Sequence, residues 1–288
     1  MKRTRASQTA MGTAALRAIE SEKPATERMC YDPYARQFIT PWFYLQVKLF
    51  AWYGQQRTHG ALTFVVGRCR YIDEYLQERL HTGTAQVVIL GAGLDSRAYR
   101  DELLSRAIKT FEVDHPATQA SKIERVKRIF GTIPEHVVYV SIDFTSETLD
   151  QLLVDGFDQS LKTLFIWEGV TLYLEKEAVD GTLEWIRIHA SPRSAIIFDY
   201  QDTSTLTGRH RAYAVLNRLS GEKRVFGIEP GQMEPFLIQR GFTQVVDVHA
   251  EHLEHLYCTG PNQGRSMAKY YSIVHAEVGD KQGELSMR

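Results

Sequence analysis

From residue 86 onward the chain alternates between short apolar runs and amphipathic stretches. The runs are rich in Val and Ile and do not alternate regularly with polar residues, which is typical of strands buried on both faces of a parallel sheet. They are Gln86–Leu90, Thr110–Asp114, Val137–Ser141, Leu164–Trp167 and Ala195–Asp199. Between two of them, Val179, Leu183 and Ile186 recur at helical spacing. The alternation predicts right-handed β-α-β crossovers and a doubly wound, mostly parallel α/β sheet.

The segments on either side of these runs have a different pattern. Residues 1–82 are predicted to form a helical cover, with helices at Met11–Ile19, Pro41–Gly54 and Tyr71–Leu80. After residue 200 a polar, basic stretch precedes a helix near Gln232–Arg240 and strands near Val245–Val248 and Tyr270–His275. No flexible linker is visible. We therefore expect one domain over 1–288, with a core at 83–200 and a substrate cap and last strands at 201–288.

Composition narrows the class of protein. Hydrophobic residues make up 43% and charged residues 24% of the chain, as in ordinary globular proteins. The net charge of -1 gives no overall attraction to nucleic acid or to an anionic membrane. The three cysteines form no CxxC pair, and the N-terminus lacks the apolar core of a signal peptide. We expect a cytoplasmic protein whose partner is a small molecule, with no metal site and an oligomeric state that the sequence leaves open.

A glycine turn directly follows the first buried run. Gly91 and Gly93 flank Ala92 there, and glycines let the backbone turn sharply and approach a ligand closely. Ser96 stands where a dinucleotide-binding fingerprint has its third glycine, and Asp95 would repel a pyrophosphate. The turn therefore favours a ligand such as S-adenosylmethionine, which carries a sulfonium and an ammonium but no phosphate.

The second run ends in an acidic residue. Asp114 lies 21 positions after Gly93, and an acidic residue about 20 positions after such a turn accepts bonds from ribose hydroxyls. Glu112 is a competitor on the same side of the strand, but it is expected to lie deeper in the sheet. Asp114 is the preferred ribose residue.

The third and fourth runs also end in carboxylates. Asp143 could accept a bond from an adenine amine and Phe144 could cover the ring, although Asp143 also fits a helix N-cap. Glu168 lies at the expected switch point of the sheet, where it would face an ammonium. Three acidic strand ends favour an adenosyl ligand over NAD, which leaves an NAD-dependent oxidoreductase and a non-catalytic ligand sensor as alternatives.

Taken in order, several segments resemble the leucine carboxyl methyltransferase family, including its branch of small-molecule O-methyltransferases. The resemblance is carried by Thr13–Glu20, Asp32–Ala35, Arg68–Asp73, Gly91–Arg97, Phe111–Pro116, Asp143–Phe144 and Trp167–Leu174. It implies a Rossmann-like class I methyltransferase fold and S-adenosylmethionine as the cofactor. The chain departs from the family pattern at Ser96, where Thr is common, and at Phe144, where Leu is common.

The resemblance also implies a set of cofactor contacts. Gly93 belongs to the glycine turn, and the other roles are Arg68 at the cofactor's carboxylate, Gly91 at its methionine moiety, Asp114 at the ribose, Asp143 and Phe144 at the adenine, and Glu168 at the ammonium. Arg70 could exchange places with Arg68, and Arg17 could be a second basic residue near the cofactor. No catalytic residue is assigned.

The expected reaction is transfer of the methyl group to an oxygen of a carboxylate or hydroxyl. We favour a carboxylate, because it is ionised at pH 7 and needs no general base. A hydroxyl would need one, and the only candidates are Tyr173, Tyr200 and His210. The acceptor could be a small molecule or, as the alternative within the family, a protein C-terminus.

Three further patterns in the sequence have more than one interpretation. His249, His252 and His255 are spread too widely around a helix to converge on a metal, so a solvated face is expected. The aromatic block Trp42–Tyr53 is expected to cover the core, with a substrate-pocket wall as the alternative. The basic tripeptide Arg209–Arg211 is either a solvated loop or a site for an acidic substrate.

Overall fold

The computed structural model describes residues 8–54, 60–206 and 224–280. Within these ranges seven strands form one sheet in the order β3-β2-β1-β4-β5-β7-β6. They are β1 Gln86–Leu90, β2 Lys109–Asp114, β3 Val137–Ser141, β4 Thr163–Trp167, β5 Ala195–Gln201, β6 Phe242–His249 and β7 Tyr271–Val278. Strands β1 to β5 are mutually parallel, and β7 is antiparallel to both neighbours. The predicted doubly wound, mostly parallel sheet is confirmed.

The strand order places the switch point between β1 and β4. From β1 the chain winds outward through β2 to β3, and from β4 it winds the other way to β5. The carboxyl ends of these parallel strands meet at one edge, and the crevice at the switch point is where open α/β sheets bind ligands.

Burial along the strands follows their place in the sheet. Every residue of β1, β4 and β5 is buried, as their apolar runs predict. Strand β3 lies at the edge, where Val138 and Tyr139 are only half-buried and Ser141 is exposed. The prediction that all five runs are buried on both faces is therefore wrong for β3, because an edge strand has a neighbour on one side only.

The helices of the described ranges pack on both faces of the sheet. They are α1 Gln8–Ser21, α2 Pro41–Gly54, α3 Ala61–His81, α4 Arg97–Arg100, α5 Glu102–Ala107, α6 Pro116–Phe130, α7 Gln151–Val154, α8 Lys176–His189, α9 Met233–Ile238 and α10 Ala250–Tyr257. The predicted stripe Val179, Leu183 and Ile186 lies on α8 and is fully buried. None of these helices is both long enough and apolar enough to cross a bilayer.

Helix α1 packs closely against the glycine turn after β1. Its buried face is built from Ala14, Ala15 and Ala18, whose small side chains let neighbouring segments approach. At its start, Ala10 Cβ lies 3.1 Å from the position that a Cβ on Gly93 would take. The first helix of the cover therefore borders the edge of the sheet where the strand ends meet.

The expectation that the aromatic block covers the core is wrong for most of its residues. Helix α2 packs one side against α1 through Phe43, Tyr44 and Val47. The exposed large side chains are Trp42, Leu45, Leu49, Phe50, Trp52 and Tyr53. The reason is geometric, because apolar residues surround this helix while, among the described residues, it packs against α1 with one side.

Candidate functional site

A cavity of about 550 Å³ opens at the carboxyl ends of β1 to β4. This volume lies within the range of small-molecule sites. The cavity wall includes all seven residues predicted to bind a cofactor, namely Arg68, Gly91, Gly93, Asp114, Asp143, Phe144 and Glu168. The structure therefore brings together residues that are up to 100 positions apart in the chain.

The glycine turn forms the floor of the cavity. Gly91 and Gly93 have φ values of 66° and 46°, in the left-handed region that favours glycine. A Cβ on Gly91 would lie 2.3 Å from Cγ2 of Val170, so a side chain has no room there. Both observations explain why the turn requires glycine, and they leave its backbone open to a ligand.

Asp114 ties the end of β2 to this turn. Its Oδ2 accepts a hydrogen bond from Gly93 N–H, and its Oδ1 accepts one from His115 N–H. Burial raises the pKa of Asp114, and these two N–H groups only partly oppose that effect. The carboxylate is thus fixed at the end of β2 in the cavity wall.

Glu112, the competitor for that role, lies outside the cavity wall. Its carboxylate is fully buried, 2.8 Å from Lys122 Nζ, and it accepts a bond from Tyr99. Burial raises the pKa of Glu112 to about 7 despite the attraction of Lys122. Asp114, and not Glu112, therefore lines the cavity.

Asp143 and Phe144 lie at the end of β3. Oδ1 of Asp143 accepts bonds from the N–H and the hydroxyl of Thr145, at 3.0 and 2.6 Å, which fixes the turn rather than a helix cap. His115 Nε2 lies 3.9 Å from Oδ2 of Asp143. The ring of Phe144 stacks against Trp167 with 6.4 Å between centroids. A flat aromatic wall and a carboxylate therefore flank this end of the cavity.

The part of the cavity wall formed by Arg68, Asp95 and Glu168 rests on arginines and carboxylates in contact. Arg68, on α3, donates from Nε to Glu168 (3.0 Å) and from Nη1 to Asp199. Arg97 donates from Nη1 to Glu168 (2.7 Å) and to Asp95. All five side chains are buried or nearly so. They form one continuous network beneath the ends of β4 and β5.

The arginines decide the charge state of this network. Burial by itself would raise the pKa of Glu168, but Arg97 and Arg68 outweigh it and hold that pKa below its usual range. The pKa of Asp95 is likewise lowered, because Arg97 and Arg17 overcome the cost of burial. For Asp199 burial prevails over Arg68, and its pKa is raised. The network therefore holds paired charges.

This pairing changes one sequence-based interpretation. Asp95 was expected to present a negative charge to the ligand, whereas its Oδ2 is paired with Arg97 and its Oδ1 accepts Arg97 N–H. The sequence reasoning also missed Asp199 and Arg97. Asp199 ends a predicted strand in the same way as Asp114, and that position could have identified it.

Arg17 joins the cavity from α1. It donates from Nε to Asp32 (2.9 Å) and from Nη2 to the carbonyl of Leu94 (2.6 Å). Thr9 and Thr13 line the cavity on the same helix face, at i, i+4 and i+8 with Arg17. The sequence reasoning named Arg17 and missed the two threonines, although this spacing could have revealed them.

Arg70 does not share the position of Arg68. It pairs with Glu74 at 2.7 Å, lies over the ring of Tyr257 and is absent from the cavity wall. The structure therefore separates the two arginines that the sequence left exchangeable.

The candidates for a general base do not all lie at the cavity. Tyr173 lines the cavity, whereas Tyr200 is buried elsewhere and donates to both oxygens of Asp247 at 2.8 Å. His210 lies outside the described residues, as does the tripeptide Arg209–Arg211 around it. Of the described candidates, only Tyr173 is placed to act on a ligand in this cavity.

The histidines near the C-terminus lie away from this cavity. His249 precedes α10 and contacts Ser272 at 3.0 Å, while His252 and His255 are exposed on α10. In the described ranges no group of three or more His, Cys, Asp or Glu side chains is arranged to hold a metal ion.

Comparison with known proteins gives two kinds of match. The family model described as leucine carboxyl methyltransferase matches residues 10–187. One relative is "Putative S-adenosyl-L-methionine-dependent methyltransferase YktD" of Bacillus subtilis, which is 39% identical over 145 residues. Relatives with the same description occur in Rhodococcus jostii (32% identical over 195 residues) and Mycobacterium bovis (30% over 223 residues).

The matches cover unequal parts of these relatives. The aligned segment spans 50% of this chain and 47% of the Bacillus subtilis protein. For the Rhodococcus jostii protein the shares are 66% and 64%, and for the Mycobacterium bovis protein they are 73% and 70%. The family match covers α1 to most of α8, which includes every residue of the cavity wall except Thr9.

Proposed function

The chain belongs to the leucine carboxyl methyltransferase family, and from this premise we propose that it transfers a methyl group from S-adenosylmethionine to an oxygen of a small-molecule acceptor. The observation that carries the proposal is the assembly of the seven predicted residues around one cavity at the switch point of the sheet. The descriptions of the three relatives support the same cofactor.

The donor set of the cavity fits this cofactor. Arg68 and Arg17 each use two of their three nitrogens in bonds to the chain, which leaves Nη2 of Arg68 and Nη1 of Arg17 for a carboxylate. Asp114 would accept bonds from the ribose hydroxyls, and Asp143 would accept one from the adenine amine. Glu168 would face the ammonium through the oxygen lone pairs that its two arginines do not use.

The same geometry disfavours NAD. Ser96 is buried and its Oγ accepts a bond from Arg100, so the third glycine of a dinucleotide site is replaced by a packed side chain. Helix α4 after the turn has only four residues, which gives a small dipole for a pyrophosphate. An oxidoreductase is therefore the less favoured alternative.

We favour a carboxylate as the acceptor. When bound, the cofactor supplies an electrophilic methyl group on a sulfonium. The chain's part is then to place the acceptor oxygen about 3 Å from that methyl group and to exclude water. A carboxylate needs no base for this step, and Tyr200 is already committed to Asp247. The description of the family model, which names carboxyl methylation, supports the same acceptor.

Binding and turnover test the two parts of this proposal separately. Calorimetry is expected to detect S-adenosylhomocysteine but not NAD, and tight NAD binding would overturn the cofactor assignment. A mass-spectrometric screen of carboxylic acids, phenols and peptides with free C-termini then identifies the acceptor class. Cofactor binding with no methylated product in any class would favour the ligand-sensor alternative.

The dependence of the rate on pH distinguishes the two acceptor types. With a carboxylate we expect a nearly constant rate from about pH 6 to 9, in both the native enzyme and Tyr173→Phe, since the acceptor is ionised throughout. A phenol, with an ordinary pKa of about 10, would give a rate that rises with pH. A rise that disappears in Tyr173→Phe would identify Tyr173 as the base and contradict the preference for a carboxylate.

A further inference from the structure

A buried lysine lies beneath the glycine turn, outside the cavity wall. Lys122 is 1% exposed and lies on α6, one helical turn after Thr118, which lines the cavity. Its Nζ is 2.8 Å from Oε2 of Glu112, and it also donates to the carbonyl of Ala92 at 3.5 Å. Lysine is almost never fully buried unless it is paired. At this position its ammonium contacts both a carboxylate of β2 and the backbone of the turn.

The contact with Ala92 completes the hold on one peptide group of the turn, which joins Ala92 to Gly93. The carbonyl of this peptide accepts a bond from Asp95 N–H at 2.7 Å as well as the bond from Lys122. Its N–H donates to Oδ2 of Asp114. A peptide group is planar, so its carbonyl and its N–H point in opposite directions. Bonds at both ends therefore fix the plane of this peptide.

The charge of Lys122 is not fully engaged by Glu112. Burial raises the pKa of Glu112 to about 7 against the attraction of Lys122, so near pH 7 this carboxyl carries its charge only part of the time. The ammonium also acts on the end of β2. Burial raises the pKa of Asp114 there, and Lys122 opposes that effect, after the N–H groups of Gly93 and His115. Neutralising Glu112 therefore accounts for only part of what this ammonium does.

We propose that Lys122 is a positioning residue for the cofactor, because it holds the Ala92–Gly93 peptide in its ligand-binding orientation from beneath the turn. This role rests on the proposed function, which takes the cavity as the site of S-adenosylmethionine. There Asp114 would accept bonds from the ribose hydroxyls, and these would compete with Gly93 N–H for its oxygens. Lys122 lies behind the turn, away from that competition, and keeps the carbonyl end fixed while the ligand binds.

The alternative is that Lys122 only balances the charge of Glu112 inside the protein. The two roles predict different results when both members of the pair are replaced. A residue that only neutralises a carboxylate becomes dispensable once that carboxylate is gone, because no buried charge of the pair is then left without a partner. A residue that holds the turn is still missing in the double variant, because the carbonyl of Ala92 has lost its side-chain donor.

Calorimetry with S-adenosylhomocysteine distinguishes the two roles. We expect Lys122→Met, and Lys122→Met combined with Glu112→Gln, to bind about tenfold more weakly than the native chain, since both lose a bond from a charged donor. Glu112→Gln by itself keeps the lysine and should bind as the native chain does. Lys127→Met, at an exposed position of α6, is the matched control and should also bind normally. Native affinity in the double variant would overturn the proposal, and the double variant leaves neither charge of the pair, so it stays measurable where Lys122→Met unfolds.

Hydrogen exchange in the ligand-free chain tests the same role without cofactor or acceptor. We expect the Gly93 amide to exchange about tenfold faster in the double variant than in the native chain, while the amides of β5 keep their protection. Equal protection of Gly93 in the two proteins would overturn the proposal, whatever the change in affinity. Absence of S-adenosylhomocysteine binding by the native chain would instead overturn the proposed function, and exchange at Gly93 would still show whether Lys122 holds the turn.

Discussion

The two ends of the cavity hold their carboxylates in different ways. At the arginine end, which we define as Arg68, Arg97, Glu168 and Asp199, every carboxylate is bonded to at least one guanidinium. At the acidic end, Asp114 and Asp143 accept bonds mainly from backbone N–H groups and a hydroxyl. The comparison teaches that carboxylates which look equivalent as strand ends differ in their dependence on other charges. Substitution should affect stability at the first end and ligand affinity at the second.

The largest effect is expected at the centre of the arginine end. Arg97→Met removes the cation that pairs with Asp95, Glu168 and Asp73. Asp95 would lose its paired guanidinium and Glu168 one of its two, which should lower the free energy of unfolding by about 3–5 kcal/mol, measured by urea denaturation. Arg70→Met, which breaks the exposed pair with Glu74 and the contact with the Tyr257 ring, is the control and should cost only about 1 kcal/mol. Equal losses in the two variants would contradict the distinction between the two ends.

The next effect concerns Glu112, two residues before Asp114 on β2. Its pKa in the fold is about 7, above its ordinary value of 4.5, so the folded chain holds this proton more tightly than the unfolded chain. The stability that protonated Glu112 contributes is therefore lost as the pH rises from 4.5 through about 7. Relative to Glu112→Gln, the native free energy of unfolding should fall by up to about 3 kcal/mol between pH 4.5 and 8.

Denaturation of both proteins across this pH range measures the difference. Glu177→Gln, at an exposed position of α8, is the control and should leave the pH dependence of the native chain unchanged. If the native chain instead became more stable relative to Glu112→Gln as the pH rises, the contact with Lys122, and not burial, would control the pKa of Glu112.

At the acidic end we expect a loss of affinity rather than of stability. Asp114→Asn removes a charged acceptor from the proposed ribose site and should weaken S-adenosylhomocysteine by about 1–3 kcal/mol, measured by calorimetry. Its free energy of unfolding should change by less than that of Arg97→Met, because in the described residues two backbone N–H groups and no side-chain cation bond to Asp114. A large loss of stability with unchanged affinity would mean that Asp114 supports the fold, as the carboxylates of the arginine end do, and does not bind the ligand.

The smallest effect is expected at Asp143. Its carboxylate is 38% exposed, so water competes with a ligand for hydrogen bonds to it. Asp143→Ala should weaken S-adenosylhomocysteine by about 0.5–1.5 kcal/mol. Glu147→Ala is the control, because Glu147 bonds to Asp143 N–H but does not line the cavity. If Glu147→Ala weakened binding as much as Asp143→Ala, the loop and not the carboxylate would be responsible.

The sequence predicted most of the strands, because buried parallel strands have a clear apolar signature. The bounds of β1 and β3 were predicted to the residue, and the order of chain elements led to the doubly wound sheet. The acidic strand ends could also be predicted, since parallel strands bring their carboxyl ends to one edge. The sequence therefore predicted that Gly91, Glu168 and the acidic strand ends between them lie at one edge of the sheet.

Pairing and exposure could not be predicted in the same way. That Arg97 reaches Asp95, Asp73 and Glu168 together depends on how α3, α4 and β4 meet in space. The exposure of Trp52 depends on which side of α2 finds a packing partner, and a helix that is apolar all round gives no periodic signal for that choice. The local sequence pattern determines the helices and strands, whereas the ion pairs of Arg97 and the exposure of Trp52 arise from tertiary contacts.

The bond from Gly93 to Asp114 has a consequence for the kinetics of ligand entry. It fixes the amide of the glycine turn before any ligand arrives, so this backbone is already in its buried, bonded arrangement. A preorganised loop loses little conformational entropy on binding, and association need not wait for a loop to order. The Gly93 amide should accordingly exchange slowly with deuterated solvent in the ligand-free protein, at a rate that the ligand changes little.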